Sequence, residues 1–233
     1  KSIIVKHGDP DAWKKLKDAV SAIADGGTIY IDGLIEATAA SGNNGEILVT
    51  KNLTIKPKNS AAVLDADNET GGKPAHRIFK VESGKTLTLD NLTLKGGKAN
   101  AATDMDEKGN GGAIYAHGAA VNINNCTMTG NAATKDGGAV YADKDTTAST
   151  ITISGGTIGG AGTDANEAEY GGGVYADKNT TVNMTNCTLK GNKADGGTDV
   201  SSNPNSAGGA VYANGDKVYF FSSIKPFYGI RHS

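Results

Sequence analysis

Two acidic segments contain the carboxylates that could do chemistry. The repeat described below places them two rungs apart along a solenoid, a separation of about 10 Å. Carboxylate oxygens are the ligands that Ca²⁺ prefers, and two carboxylates that converge on one cleft can hydrolyse a glycosidic bond. We expect solvated loops, with a Ca²⁺ site and a catalytic pair as the alternatives. The residues concerned are Asp104, Asp106 and Glu107 in the first segment and Asp164, Glu167 and Glu169 in the second.

A six-residue string brings one tyrosine into each rung. It reads Gly-Gly, then Ala or Gly, an aliphatic residue, Tyr and Ala, and it occurs four times. Alternation along a strand points the aliphatic residue inward and the tyrosine outward, so we expect outward rings that stack offset at the rung spacing. Such rings can pack on a sugar or a partner surface; the alternative is that they only cover the sheet. The predicted binding residues are Tyr115, Tyr141, Tyr175 and Tyr212.

These residues need a scaffold, and a second repeat indicates which one. A pentad with Thr at its third position recurs at intervals of 30 to 39 residues. Its second and fourth positions are one strand period apart, so both point inward. Three short strands in about 30 residues, none with helical periodicity, fit one rung of a right-handed parallel β-helix. The fourth positions predict one interior file: Ile55, Leu94, Met128, Ile158 and Leu189.

The remaining columns of the pentad have matching chemistry. The first column holds Asn or Gly, which is typical of a left-handed backbone position at a sharp bend. Two cysteines share the second column, but Gly156 separates them by two rungs, about 9–10 Å, beyond the ~7 Å reach of a disulfide. We therefore expect free thiols. The structural residues so predicted are Asn91, Asn125 and Asn186 at the bend, the outward Thr93, Thr127, Thr157 and Thr188, and Cys126 and Cys187.

The two ends differ from the repeats. Asp9 and Pro10 predict the start of a helix that presents Trp13, Leu16, Val20 and Ile23 on one face and caps the solenoid. We predict an all-β, right-handed parallel β-helix with three strands per rung and an N-terminal capping α-helix. Its parts are the cap at 1–27, the β-helix at 28–219, and an irregular tail or truncated rung at 220–233.

Composition excludes several classes of protein. The chain of 233 residues has 33 Gly and 5 Pro, and only 37% of its residues are hydrophobic. This leaves thin, glycine-rich β architectures. A balance of 23 Lys and Arg against 25 Asp and Glu gives no basic excess for nucleic acid. The sequence has no run of about 18 apolar residues, so it predicts no membrane-spanning helix.

The repeats resemble those of the chlamydial polymorphic outer membrane proteins. The strings are Gly111-Gly112-Ala113-Ile114, Gly137-Gly138-Ala139-Val140, Met128-Thr129-Gly130-Asn131 and Leu189-Lys190-Gly191-Asn192. They are similar to the GGA(I/L/V) and FxxN repeats of that family, with Met or Leu in place of its Phe. The resemblance implies a surface-displayed autotransporter passenger with a pectate-lyase-like fold, associated with adhesion.

We therefore expect a non-catalytic adhesin or structural passenger domain at the bacterial surface, presenting loops and the tyrosines to a host or matrix protein or a glycan. No cofactor is expected, with Ca²⁺ as the alternative. The second hypothesis is a Ca²⁺-dependent polysaccharide lyase or other carbohydrate-active enzyme. Resembling lyases use Arg or Lys as base, but Arg77 precedes the regular rungs and Arg231 lies in the tail. His117 has no spaced acidic partner, so we expect a surface role for it.

Overall fold

The chain folds into stacked parallel sheets. The computed structural model describes residues 2–66, 74–100, 109–196, 208–215, 218–221 and 230–232. In these ranges it contains one α-helix, α1 (Ala12–Ala22), a 3₁₀ turn (Gly162–Asp164) and 25 strands. The strands in chain order are β1 (Ser2–Lys6), β2 (Gly27–Asp32), β3 (Leu34–Glu36), β4 (Ile47–Val49), β5 (Leu53–Pro57), β6 (Ala62–Asp65), β7 (Phe79–Val81), β8 (Thr86–Asp90), β9 (Leu92–Lys95), β10 (Lys98–Ala99), β11 (Ile114–His117), β12 (Ala120–Asn124), β13 (Thr127–Thr129), β14 (Ala132–Ala133), β15 (Val140–Asp143), β16 (Thr150–Ser154), β17 (Thr157–Ile158), β18 (Glu167–Ala168), β19 (Val174–Ala176), β20 (Thr181–Thr185), β21 (Thr188–Leu189), β22 (Lys193–Ala194), β23 (Val211–Ala213), β24 (Val218–Phe221) and β25 (Ile230–His232).

Four sheets share these strands, and every pairing between named strands is parallel. Sheet A has the order β1-β2-β5-β8-β12-β16-β20-β24, and sheet B has the order β3-β6-β9-β13-β17-β21. Sheet C runs β4-β7-β11-β15-β19-β23-β25. Sheet D contains β10-β14-β18-β22. Each strand that is not at the end of its sheet thus lies between the equivalent strands of the preceding and following rungs, which makes the fold all-β and solenoid-like.

Sheet D was not predicted. Its strands have two residues each, so they carry no periodic signal. Their inward residues, Ala99, Ala133 and Ala168, form a small buried cluster separate from the main core. The middle rungs therefore contain a fourth, short strand besides the three that the repeat predicted.

The predicted interior file is confirmed for four residues. Leu94 pairs with Met128, Met128 with Ile158, and Ile158 with Leu189, and all four are buried. The placement of Ile55 in this file is wrong. Ile55 lies in sheet A, where it pairs with Ile29 and Leu89.

The first pentad was therefore assigned to the wrong sheet. Leu64 is the true neighbour of Leu94 in sheet B, and it follows the sheet A strand β5 after a four-residue loop. The pentad at Asn52 matches the others locally, but pairing is decided by the register against the next rung. Consistent with this, Asn52 is not among the residues with positive φ.

The N-terminal helix packs over the first strands of the solenoid. It contacts β1, β3 and β4, and Trp13, Leu16 and Val20 are buried beneath it. The indole N–H of Trp13 donates a hydrogen bond of 2.8 Å to the carbonyl of Gly45. An apolar core end is thereby covered, as the capping role requires.

Two details of this end differ from expectation. The helix starts after Asp11 rather than at Asp9 and Pro10, and the Asp9 carboxylate instead accepts the backbone N–H of Lys6 at 2.8 Å. Strand β1 precedes the helix and pairs with β2, so the segment taken as a cap also supplies the first strand of sheet A. At the other end, β24 crosses the predicted boundary at residue 220 and continues sheet A, and β25, within the segment predicted as a tail, continues sheet C.

Glycines stand where the backbones of successive rungs approach closely. Gly137 has a φ of 70°, and a Cβ on Gly138 would lie 2.2 Å from the carbonyl oxygen of Gly172 in the next rung. Gly156 has a φ of 76°, and a Cβ there would lie 2.1 Å from the carbonyl oxygen of Cys126. Both the left-handed backbone and the missing side chain are required at such positions.

We expect Gly156→Ala to lower the free energy of unfolding by about 3 kcal/mol or more, since it combines backbone strain with a collision against Cys126. Gly26→Ala is the matched control. Its φ is 74°, but no heavy atom lies within 4 Å of the added Cβ, so only backbone strain of about 1 kcal/mol applies. Urea unfolding followed by far-UV circular dichroism measures both losses. Equal losses would contradict the close approach at Gly156.

Candidate functional site

The four predicted tyrosines form one file on sheet C. Tyr115, Tyr141, Tyr175 and Tyr212 are paired in register along β11, β15, β19 and β23. Successive ring centroids are 5.3, 5.3 and 5.1 Å apart, and the last two pairs are stacked. Ile114 and Ala116 belong to the main core, whereas Tyr115 belongs to a separate aromatic cluster. The rings therefore lie on the outer side of the sheet.

Three of these outward rings have little exposed surface. Tyr115, Tyr141 and Tyr175 are 5%, 7% and 8% exposed. Tyr175 stacks between its two neighbours, whereas Tyr115 packs against Tyr141 at a tilt. The Arg77 guanidinium lies 5.3 Å from the Tyr115 ring, and Tyr170 packs against Tyr212. Most of the surface of the tyrosine file is therefore covered by neighbouring side chains. Its role as a binding surface stays a prediction.

Aspartates accompany the tyrosine file. The Tyr115 hydroxyl donates to Asp143 at 2.6 Å, and His117 Nδ1 lies 2.9 Å from the other carboxylate oxygen of Asp143. The view of His117 as lacking an acidic partner is thus wrong, because the partner comes from the next rung. Burial, together with the charge of Asp177, raises the pKa of Tyr141, and burial with the charge of Asp136 raises that of Tyr175.

Asp136 has the most unusual environment in this group. The pKa of the Asp136 carboxyl is raised to about 7, mainly by burial and further by the negative charges of Glu169 and Asp177. The positive charge of Lys135 opposes this rise, but its effect is smaller than that of burial. Its backbone N–H donates to the Asn110 side chain at 3.2 Å, which fixes it at the entry to the Gly-Gly string. Nothing in the sequence marked Asp136, since its neighbours come from other rungs.

The acidic segments were predicted as loops, a Ca²⁺ site or a catalytic pair. Asp164 lies at the end of the 3₁₀ turn and is exposed, while Glu167 forms a 2.7 Å ion pair with Lys193. Glu169 forms a 2.8 Å ion pair with Lys135. Over the described ranges, no three His, Cys, Asp or Glu side chains come together in a group that could hold a metal ion. The predicted Asp104, Asp106 and Glu107 lie outside the described residues.

The ion pairs lie on what we call the loop edge, comprising residues 132–136, 159–170 and 193–196. The connection from sheet B to sheet D takes two residues after β13 but eight after β17, and residues 161–164 of the longer connection are exposed at this edge. A shallow cleft of about 330 Å³ opens beside it, lined among others by Thr163, Glu167 and Lys193. The loop edge thus presents polar, paired side chains on a rigid support, which is the arrangement that loop-based recognition uses.

The remaining predicted residues occupy structural positions. Asn91, Asn125 and Asn186 have φ values of 53°, 51° and 53° at the bend between sheets A and B. Each predicted threonine pairs in register with a threonine of a neighbouring rung on the outer side of sheet B. These residues are Thr93, Thr127, Thr157 and Thr188.

The two cysteines are buried thiols. Cys126 and Cys187 are each 2% exposed and unbridged. Burial raises the pKa of Cys126 to about 11 and also raises that of Cys187. Both therefore behave as small hydrophobic groups at neutral pH.

A buried amide ladder was missed by the sequence analysis. The Asn131 side-chain amide donates to Asn166 at 3.0 Å, and Asn166 donates to Asn192 at 2.9 Å. The same three amides also donate to the carbonyls of Leu94, Met128 and Ile158 in sheet B. The dipeptides Gly130-Asn131 and Gly191-Asn192 after the pentads were a signal for two of its members, whereas Asn166 follows Ala165 and has no such signal.

Arg77 is a second missed residue. It is 1% exposed, pairs with Glu46 and donates to the carbonyl of Asn110 at 2.9 Å. Because it also lies against the Tyr115 ring, it ends the tyrosine file on the side of the first rungs.

We predict that Asp136→Asn stabilises the chain at high pH only. The native pKa of about 7 exceeds the ordinary 3.8, so the native state holds the proton more tightly than the unfolded chain. Stability is therefore lost as the pH rises from about 4 to about 7. After allowance for solvent screening, the variant should gain about 1–2 kcal/mol over the parent at pH 8 and almost nothing at pH 4.

Urea unfolding at a series of pH values measures this difference. The control is Asp164→Asn, the same change at an exposed carboxylate. A gain for Asp136→Asn that does not change with pH would refute the assigned environment.

One comparison with known proteins bears on these residues. Residues 125–143, from the bend at Asn125 through the string that contains Tyr141, match the Chlamydia polymorphic membrane protein repeat. No curated protein and no solved structure matches the chain. In the part of the chain that the structure describes, no helix is long and apolar enough to cross a bilayer. The matching segment is thus similar to a repeat of a family of outer-membrane, surface-associated proteins, which supports a surface-associated, passenger-type domain.

Proposed function

We propose that the chain is a non-catalytic binding domain of the bacterial cell surface, of the adhesin type. In this proposal the stacked rungs form a right-handed parallel β-helix with three main strands per rung. The rod holds the loop edge at a fixed geometry towards a host or matrix component. The similarity of residues 125–143 to the polymorphic membrane protein repeat supports the location.

The observation that carries the proposal is the contrast between uniform rungs and variable connections. The strands of sheets A, B and C keep their register from rung to rung, as Thr127 does with Thr93 and Thr157. At the loop edge the connections differ in length, and ion pairs between rungs, Lys135–Glu169 and Lys193–Glu167, hold them in place. Solenoids carry specificity in such loops, because a rung tolerates insertions without losing its neighbours.

We expect the double exchange Glu167→Lys with Lys193→Glu to lower binding of the purified domain to fixed host cells or immobilised matrix proteins by about tenfold. The exchange keeps the ion pair and the fold but reverses the charge at each position, so charge complementarity with the partner is lost; a tenfold weaker binding corresponds to about 1.4 kcal/mol. Surface plasmon resonance and cell-binding assays measure the effect. The matched control exchanges Asp65 and Lys95, another pair between rungs, on sheet B.

Equal binding by both double variants would overturn the role of the loop edge. Turnover of a polysaccharide that Asp164→Ala abolishes would overturn the non-catalytic assignment and favour the carbohydrate-active alternative. An absence of binding to every cell type and matrix protein would leave a spacer as the better description.

A further inference from the structure

A second polar cleft lies on a different face, at the corner between sheets A and B. In most rungs this corner is a tight bend, for example the single residue Asn91 between β8 and β9. Between β5 and β6 the connection has four residues, 58–61, and it stands out from the bends beside it. The space between this loop and the next two rungs is an open cleft of about 660 Å³. We call it the corner cleft.

The lining of the corner cleft offers both hydrogen-bond donors and acceptors. Asn91 and Asn125 expose their side chains at left-handed positions, and Thr93 and Thr127 place hydroxyls one rung apart, about 4.8 Å. An amide and a hydroxyl can each donate and accept. The register of the sheets therefore repeats the same pair of polar groups along the length of the cleft.

Charge narrows the choice of ligand. Lys56 and Asp90 are the two charged residues of the lining, so the cleft has no net charge. Asp90 accepts a 2.6 Å hydrogen bond from the Asn124 amide, and the Lys56 ammonium lies 5.5 Å from the Tyr30 ring. Both charged groups are thus held by neighbours on sheet A. A phosphate, a polyanion or a strongly basic peptide would find no excess of the opposite charge.

The strands at this corner also exclude the usual mode of peptide binding. Strand β5 lies between β2 and β8, and β6 lies between β3 and β9. An extended peptide needs an unpaired strand edge to add its backbone hydrogen bonds, and this corner has none among these strands. The lining has three apolar residues: Leu92 is 1% exposed, and Pro57 and Ala61 are small, so the cleft gives a peptide no large apolar anchor.

We propose that the corner cleft binds a short neutral oligosaccharide. Sugar hydroxyls donate and accept at closely spaced positions, as do the amides and hydroxyls of the lining. The cleft spans two rung spacings, about 10 Å, and its volume is in the range that holds a ligand of two or three sugar rings. This site goes beyond the proposed function, because it lies on another face than the loop edge and does not depend on it.

The test is a titration of the isotope-labelled domain with cellotriose, maltotriose and tri-N-acetylchitotriose, followed by nuclear magnetic resonance. We expect saturable shifts of the Asn91 and Asn125 side-chain amides and of the Thr93 and Thr127 backbone with at least one sugar. An open, solvated site of this kind should give a Kd of about 0.1–10 mM.

Two variants localise the binding. Asn91→Gly removes the amide but keeps the left-handed bend, because Gly155 occupies the same column in a later rung with a φ of 71°. Thr127→Val removes one hydroxyl without changing the shape of the side chain. Each should weaken binding about fivefold or more, the effect of one lost hydrogen bond. Thr157→Val is the matched control, since Thr157 pairs with Thr127 but lies outside the cleft, and it should leave Kd within about twofold.

Several outcomes would overturn the proposal. These are an absence of saturable shifts with all three sugars, an equal loss in Thr127→Val and Thr157→Val, or binding of trigalacturonate or of a peptide where the neutral sugars fail. The Glu167–Lys193 exchange should leave sugar binding intact. Loss of cell binding in that variant with sugar binding retained supports both sites. Loss of both activities would overturn the independence of the corner cleft, and retention of both would count against the loop edge alone.

Discussion

Hydrogen bonding between successive rungs is the constraint from which the other features of this fold follow. Each backbone group along a strand finds its partner in the rung above or below, so residues at one position stand on residues at the same position. Apolar residues at an inward position form a continuous file such as Leu94, Met128 and Ile158. A buried polar residue must find its partners along the same axis, as Asn166 does between Asn131 and Asn192.

The same stacking explains why the tyrosines are covered. An outward ring repeated at the rung spacing has its two faces occupied by the rings of the neighbouring rungs, so Tyr141 between Tyr115 and Tyr175 retains little exposed surface. Regularity therefore works against recognition on the flat faces of the solenoid. Surface that can bind a partner arises where the repeat is interrupted, at inserted connections.

The sequence predicted the features that repeat and missed those that depend on contacts between rungs. The file through Met128 and the bend at Asn125 follow from spacing and residue type alone. The pentad at Asn52 led to a wrong placement of its strand in sheet B, because local similarity does not reveal that Leu53 pairs with Leu87 in sheet A. Sheet D was not predicted, because its strands of two residues are too short to show a periodic pattern. The environment of Asp136 could not be read from the sequence, since Glu169 and Asp177 approach it only after the rungs stack.

Independence of the rungs allows one chain to carry the two binding faces that we propose. A rung contacts only its neighbours, so the four-residue connection at 58–61 and the insertion at 159–166 change the surface at their own corners without altering the register elsewhere. The first creates a recess among amides and hydroxyls, and the second creates an edge of paired charges. Because the strands between the two corners keep their pairing, a change at one corner should leave the structure of the other unchanged. The scaffold thereby separates the chemistry of its surfaces from the interactions that hold it together.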